Sequence, residues 1–260
     1  MPGLKRETRN LSHEDEPVRL VELEGCLNFR DLGGYRTQGG RRVRWGQLYR
    51  SDALHHMSVR DVQHVRDELG VRAVIDLRSS AEVTLDGMGP LATPPIDYHH
   101  IPLFDGGRGD IEPEEIPLDL GHQYFLLLGA ARGAIRCVLE ILADATEPAL
   151  FHCAAGKDRT GLISAVVLGL LEVEETHIIE DYVFTSRNIE RIIERLRQTP
   201  SYKAVFDRLP PQTLHAEPDT MASFLGRVRK AHGSLREFAL GLGLASETVT
   251  LLEERLLEQA

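Results

Sequence analysis

The segment HCAAGKDRT, residues 152–160, restricts the fold of this chain more than any other part of the sequence. Apolar residues 148–150 precede it, as in a buried strand. An almost wholly apolar run at residues 162–171 follows it and is long enough for a core helix. The pattern therefore predicts a strand, a tight loop and a helix, and five residues of the loop separate Cys153 from Arg159.

A loop that enters the N-terminus of a helix directs successive backbone N–H groups to one point, where the helix dipole adds positive potential. Small residues at positions 154–156 let an oxyanion approach this backbone closely. The same potential favours the thiolate form of Cys153, which makes that residue a nucleophile near neutral pH. The loop is predicted to hold a phosphate group against a nucleophilic sulfur.

The polar residues at the end of the loop complete this chemistry. The planar guanidinium of Arg159 can bind two non-bridging phosphate oxygens, and the hydroxyl of Thr160 can donate to the sulfur when it leaves. Lys157 adds a second cation, whose simplest structural role is an ion pair with Asp158 or with an acid outside the loop. The predicted phosphate-binding set is Cys153, Ala154, Ala155, Gly156, Lys157, Asp158, Arg159 and Thr160.

Other interpretations of the loop are weaker. An inert core thiol would not explain why a lysine, an aspartate and an arginine precede a buried helix. A Walker A loop does not fit, because the glycine spacing fails and Asp158 stands where a Ser or Thr is required. A non-catalytic phosphate-binding module would not need Cys153. An arsenate reductase would need shuttling cysteines, and Cys26 and Cys137 lack a suitable spacing.

The order Cys, five residues, Arg, Thr is that of the cysteine-based protein tyrosine phosphatases. The form HCxxGKDRT resembles their atypical bacterial, PtpB-like branch, whose members also attack phosphoinositides. Residues 28–35 (NFRDLGGY), 48–51 (LYRS) and 76–79 (DLRS) are similar to motifs of that branch in the same order, as is the tail segment 233–235 (GSL). The resemblance extends from about Gly25 to the end of the chain. It implies hydrolysis of phosphotyrosine, phosphoserine, phosphothreonine or phosphoinositide monoesters, with a phosphoinositide-preferring lipid phosphatase as the alternative.

Two aspartates are candidates for the general acid that protonates the departing oxygen. Asp158 lies inside the loop and resembles the residue that serves in this branch. Asp105 follows a predicted strand, at the position from which dual-specificity phosphatases supply their acid. We favour Asp158, because proximity comes before pKa in choosing a catalytic acid. Asp76, Arg30 and Asp31 are predicted to support the site, through an Asp76–Arg78 pair and an Arg30–Asp31 pair.

The remaining pattern predicts the dual-specificity type of phosphatase fold, a three-layer α/β arrangement. Strands are expected at 48–51, 71–78 and 96–103 as well as before Cys153, in a mostly parallel sheet of four to five strands with helices on both faces. One long helix is predicted at 123–143, and residues 106–120 are predicted to form a mobile flap. We expect a flexible tail at 1–17 and a single domain at 18–260, with a catalytic core at about 25–198 and a helical C-terminal extension at about 199–260.

Composition limits the partners. A formal net charge of −10 opposes binding to nucleic acid or to an anionic membrane. Three cysteines are too few for a disulfide framework, and the N-terminus lacks a signal peptide, so we expect a cytoplasmic protein, with secretion by another route left open. We expect no cofactor and no metal, since the pairs His55–His56 and His99–His100 lack a third ligand. The expected partners are a phosphorylated protein or phosphoinositide and the product inorganic phosphate, without stable membrane insertion. The oligomeric state stays undetermined.

Overall fold

The computed structural model describes residues 18–105, 119–203, 206 and 213–260. The predicted tail at 1–17 and nearly all of the predicted flap at 106–120 lie outside the described residues.

A five-stranded sheet forms the centre of the molecule. Its order is β1 (Arg30–Asp31), β3 (Leu48–Ser51), β6 (Ala149–His152), β4 (Ala73–Asp76) and β5 (Asp97–His100). All pairs are parallel except β1 with β3, which confirms the predicted mostly parallel sheet. Two further strands, β2 (Arg41–Val43) and β7 (Leu257–Gln259), pair with each other. Because β6 is the middle strand, its carboxyl end opens at the centre of the sheet edge, where ligands bind in open α/β folds.

Alternate residues of the central strands enter two hydrophobic clusters on opposite faces of the sheet. Phe151 and Ile75 belong to the larger cluster, whereas Leu150 and Val74 belong to the smaller one. The helices are α1 (Val59–Gln63), α2 (Ser80–Asp86), α3 (Leu120–Ala130), α4 (Arg132–Asp144), α5 (Asp158–Leu170), α6 (Glu175–Phe184), α7 (Ile189–Gln198), α8 (Pro200–Lys203), α9 (Pro218–His232), α10 (Leu235–Leu240) and α11 (Ser246–Leu256). Single turns of 3-10 helix occupy Leu54–His56 and Thr185–Asn188, and a π-helix occupies His64–Glu68.

The single helix predicted at 123–143 is wrong. Two helices, α3 and α4, occupy this stretch, and Ala131 between them has φ −92° and ψ 15°. Gly129 and Gly133 flank the break, and the low helix propensity of glycine makes it inexpensive to interrupt the helix there.

The C-terminal extension is helical, as predicted, and packs onto the main domain. Phe224 of α9, Phe238 of α10 and Leu252 of α11 belong to the same cluster as Leu162 of α5. The extension thus shares one core with the sheet, while the proposed division at about residue 198 stays a prediction. Across the described ranges, no helix has both the length and the apolar character needed to cross a membrane.

The close approach of α3 and α9 generates a stability prediction. A Cβ at Gly121 would lie 2.6 Å from the Thr220 carbonyl oxygen and 2.7 Å from the Ser223 Cβ, whereas one at Gly129 would meet nothing within 4 Å. We expect Gly121→Ala to lower the free energy of unfolding in urea by about 1–3 kcal/mol through overpacking. The matched control Gly129→Ala, in the same helix, should leave it unchanged or raise it by up to about 1 kcal/mol. Equal effects of the two substitutions would contradict the observed helix contact.

Candidate active site

The signature loop, residues 153–160, connects the end of β6 to the first turn of α5, as the sequence predicts. Gly156 has φ +67°, a conformation that L side chains rarely adopt. A Cβ at this position would also lie 2.7 Å from the backbone of Ser51 and Asp52, at the end of β3. A glycine is required here by both the backbone conformation and the contact with the neighbouring strand.

The carbonyl groups of the loop are bonded to the protein around it. The Ala53 amide donates to the Ala154 carbonyl over 3.0 Å. Asn28 Nδ2 donates to the carbonyls of Ala155 and Gly156, each over 3.1 Å, and Arg50 Nη2 donates to the Gly156 carbonyl over 2.6 Å. Because the C=O and N–H of a peptide unit point in opposite directions, this bonding favours N–H groups on the inner side of the loop.

Behind the loop, one carboxylate holds two arginines. Arg30 Nε donates to Asp181 Oδ1 over 3.0 Å, and Arg50 Nη1 pairs with Asp181 Oδ2. All three side chains are at most 1% exposed. Burial lowers the pKa of Arg50 to about 10, and the charge of Arg30 acts in the same direction, so Arg50 remains a cation at neutral pH. Two cations and one anion give this buried group a net positive charge.

The predicted Arg30–Asp31 ion pair is wrong. Asp31 instead accepts hydrogen bonds from the amides of Gly33 and Gly46, each over 2.7 Å. Successive side chains of a strand point to opposite faces of the sheet, so neighbours within β1 do not meet. Arg30 therefore pairs with Asp181 on α6, a residue 151 positions away that the sequence analysis did not identify.

Arg159 is held at the other side of the loop. Its two terminal nitrogens donate to the Glu82 carboxylate over 2.5 and 2.8 Å, and Nη2 also donates to the Tyr202 hydroxyl over 3.1 Å. Burial acts to raise the pKa of Glu82, but the charge and hydrogen bonds of Arg159 outweigh it and lower that pKa to about 2. Arg159 and Arg50 both lie close enough to Cys153 for a negative charge on its sulfur to favour their charged forms. The guanidinium is thus fixed in place by α2 and α8.

Asp158 lies in the first turn of α5, with its side chain a quarter exposed. Tyr124 donates a hydrogen bond to Asp158 Oδ1 over 2.7 Å, and Lys157 Nζ is 3.1 Å from the same oxygen. The buried ammonium of Lys157 also donates to the carbonyls of Thr213 and His215. The expected Lys157–Asp158 ion pair is present, and phosphate binding by Lys157 stays a prediction.

Asp105 lies at the N-terminus of α2, exposed to solvent. Its carboxylate accepts hydrogen bonds from the Ser80 amide over 2.7 Å and from the Ser80 hydroxyl over 2.9 Å. These bonds lower the pKa of Asp105, so the carboxyl group is ionised at neutral pH and carries no proton to donate in this conformation. The structure therefore places the two candidate acids differently, since Asp158 is part of the loop and Asp105 is bonded to a helix beside it.

Asp76 is fully buried at the carboxyl end of β4, in register with His152. It pairs with Arg78 over 2.6 Å, as predicted, and accepts a hydrogen bond from the Tyr98 hydroxyl over 2.7 Å. Its Oδ2 is 3.6 Å from His152 Nε2. Burial lowers the pKa of His152 to about 4, so the imidazole that precedes the nucleophile is neutral at pH 7.

Cys153, which bears the predicted nucleophilic sulfur, is buried in this structure. Cys153 is 2% exposed, and the loop residues Ala154 and Ala155 share a hydrophobic cluster with residues of α7 and with Tyr202. The small side chains of the loop thus pack against α7 and α8.

Comparison with known proteins identifies the family. A family model described as the tyrosine phosphatase family matches residues 21–258. The chain belongs to the tyrosine phosphatase family. The triple specificity protein phosphatase PtpB of Mycobacterium tuberculosis is 28% identical over 228 residues, covering 71% of this chain and 81% of that protein. A tyrosine-protein phosphatase of Nostoc commune is 33% identical over 97 residues, covering 36% of this chain but only 33% of that relative. The protein is a phosphatase of the cysteine-based, PtpB-like kind.

Solved structures show weaker likeness. The core catalytic domain of the PP-IP phosphatase Siw14 from S. cerevisiae is 17% identical, with a TM-score of 0.38, covering 63% of this chain and 79% of that one. A variant of TpbA from P. aeruginosa, in complex with phosphotyrosine, is 14% identical with a TM-score of 0.34, covering 79% of this chain and 91% of that one. Both TM-scores are below 0.5, so the fold assignment rests on the family and on the strand order.

Several residues of this candidate site were not predicted from the sequence to have a role in it. Asn28 and Arg50 lie in the NFRDLGGY and LYRS motifs, which resemble those of the family. No local pattern indicates that their side chains donate hydrogen bonds to the loop carbonyls. The sequence around Glu82 indicates only a helix cap, because the Ser79–Glu82 spacing is that of a capping box. The structure contains this capping box. Nothing near Asp181 in the sequence indicates that it meets two arginines.

The buried Asp181 cluster predicts a large stability effect. Asp181→Asn keeps the side-chain size but leaves Arg30 and Arg50 without a compensating charge, so the free energy of unfolding should fall by about 3–5 kcal/mol. The control is Glu140→Gln, which breaks the exposed Arg136–Glu140 pair and should cost less than about 0.5 kcal/mol. Both are measured by urea unfolding at pH 7, and an Asp181→Asn protein as stable as the control would refute the role given to this carboxylate.

Proposed function

We propose that this protein hydrolyses phosphate monoesters through a phosphocysteine formed on Cys153. The observation that carries the proposal is the bonding of the loop. Asn28, Arg50 and Ala53 hold its carbonyls on the outer side, and Glu82 fixes the arginine that ends it. This arrangement supports binding of a tetrahedral dianion next to the Cys153 sulfur.

In the first step the Cys153 thiolate attacks phosphorus in line with the departing oxygen. A sulfur–phosphorus bond forms as the phosphorus–oxygen bond breaks. Arg159 and the loop amides stabilise the charge on the three equatorial oxygens. Asp158 donates its proton to the departing oxygen, which leaves as a neutral alcohol or phenol.

In the second step water attacks the phosphocysteine, and the Asp158 carboxylate takes the proton from that water. The sulfur–phosphorus bond breaks, inorganic phosphate is released and the thiolate is restored. Thr160 is fully buried, and its Oγ1 has no hydrogen-bond partner in the described part of the chain. A buried hydroxyl without a partner is costly, which supports its predicted role as a donor to the leaving sulfur.

We propose phosphotyrosine in a protein or peptide as the preferred substrate, in keeping with the tyrosine phosphatase family and with the name of the Nostoc commune relative. A phosphoinositide preference would draw on Lys157 as a second cation, but its ammonium is bonded to Asp158 and to two backbone carbonyls. We further propose a single domain that acts in the cytoplasm. Its three cysteines are free, and a reducing compartment keeps a catalytic thiol active.

Replacing the nucleophile tests the proposal directly. Cys153→Ser should lower kcat for p-nitrophenyl phosphate by more than about 10⁴-fold, because the hydroxyl is not ionised at neutral pH. The control Cys137→Ser, on α4 and away from the loop, should keep wild-type kcat. A Cys153→Ser protein that still released phosphate at a comparable rate would rule out the phosphocysteine.

Replacing each candidate acid decides between them. Asp158→Asn should lower kcat about 10²-fold or more and remove the basic limb of the pH profile, because no proton is then available for the departing oxygen. Asp105→Asn should keep both limbs. The reverse result would assign the acid to Asp105.

A further inference from the structure

A buried chain of hydroxyl groups ends on the Asp158 carboxylate. The Tyr124 hydroxyl, on α3, is 2.7 Å from Asp158 Oδ1. The Tyr182 hydroxyl, on α6, is 2.9 Å from the Tyr124 hydroxyl and is in turn hydrogen-bonded to Thr220 on α9. Tyr124 and Tyr182 are 2% and 0% exposed. Three helices distant in the sequence thus contribute to one line of hydrogen bonds.

The chemistry of the groups sets the direction of this chain. An ionised carboxylate can only accept, so Tyr124 donates its proton to Asp158 and is left to accept from Tyr182. Burial, with the Asp158 charge next, raises the pKa of Tyr124 well above its usual range, so the phenol stays neutral and remains a donor. Each hydroxyl that donates toward Asp158 polarises the next one.

Two contacts converge on one oxygen of this carboxyl group. Lys157 Nζ is 3.1 Å from Asp158 Oδ1, the same atom that accepts from Tyr124. Lys157 is itself bonded to the carbonyls of Thr213 and His215, which lie just before α9. The side chain of Asp158 is a quarter exposed although its partners are buried. One end of the carboxyl group is therefore held by the protein interior while part of it reaches solvent.

We propose that Tyr124 is the positioning residue for Asp158, fixing the orientation of its carboxyl group for proton transfer through a hydrogen-bond chain anchored in the C-terminal extension. This inference rests on the proposed function, because it takes Asp158 as the general acid. Tyr124 does not contact the reacting atoms. Its effect on the reaction passes through the orientation and proton affinity of Asp158.

The sign of the pH effect follows from the groups that face Asp158. Among the described residues these groups include the ammonium of Lys157, the hydroxyl of Tyr124 and, beyond it, Tyr182, on which Arg50 also acts. Removing the Tyr124 hydroxyl takes away a donor that favours the ionised carboxylate, while Lys157 remains. The proton is then bound more tightly, so the basic limb of the kcat/KM profile should move to higher pH.

The test compares Tyr124→Phe with wild type on aryl phosphates of increasing leaving-group pKa and on an alkyl phosphate. A mispositioned acid matters most when the leaving group is poor. We expect a loss in kcat/KM of about tenfold or more for the alkyl phosphate and less than about twofold for p-nitrophenyl phosphate, with the basic limb displaced upward. Tyr182→Phe removes the next hydroxyl of the chain, so we expect a smaller loss of kcat/KM with the same dependence on the leaving group. It serves as the second variant if Tyr124→Phe does not fold.

The matched control is Tyr35→Phe. Its hydroxyl also contacts a buried carboxylate, Asp181, over 3.5 Å, but that residue transfers no proton. Any loss in this variant should be the same for every leaving group. In an Asp158→Asn background, Tyr124→Phe should not lower kcat/KM any further, since the carboxyl group through which Tyr124 acts is gone.

A loss in Tyr124→Phe that is uniform across leaving groups, with an unmoved basic limb, would overturn the positioning role and leave a structural one. The same holds if Tyr124→Phe still lowers activity in the Asp158→Asn background. Failure of the proposed function gives a different result, in which Cys153→Ser retains turnover or Asp158→Asn keeps its basic limb.

Discussion

The carboxylate of Asp181, between the guanidinium groups of Arg30 and Arg50, is the interaction on which the rest of the site depends. It joins α6 to β1 and β3, and Arg50 passes the connection on to the Gly156 carbonyl. Buried charges are tolerated only when each is paired and hydrogen-bonded. The arginines could not stay beneath the loop without this carboxylate, and the loop carbonyls would then lose the donor that holds them outward.

The site has two sides, a back formed by Asn28 and Arg50 and a front formed by α2, α7 and α8. At the back, Arg50 of β3 and Asn28 fix the loop carbonyls through hydrogen bonds of 2.6 to 3.1 Å between buried residues. At the front, Glu82 of α2 and Tyr202 of α8 fix Arg159, and α7 covers the small loop residues. Hydrogen bonds at the back therefore fix the loop carbonyls, and the helices at the front fix the guanidinium that ends the loop.

Local sequence patterns predicted two features correctly, and in both the residues concerned lie close together in the chain. The strand, loop and helix around Cys153 follow from two apolar runs and a small-residue loop, and the Asp76–Arg78 pair spans two positions at a strand end. The same reasoning failed for Arg30 and Asp31, because adjacent residues in a strand face opposite ways. It also failed for the single helix at 123–143, where the sequence shows an amphipathic stripe but not the break at Ala131.

The sequence by itself determined the chemistry, because a nucleophilic cysteine, a glycine-containing loop and an arginine must follow one another along a single turn of chain. Only the tertiary structure decided which groups hold that chemistry in place. Asp181, Glu82 and Tyr124 reach Arg30, Arg159 and Asp158 from positions 151, 77 and 34 residues away, and no local spacing encodes these contacts. Packing of the helices on the sheet brings these charges together, and the cost of leaving a buried ion or hydroxyl unpaired selects the final arrangement.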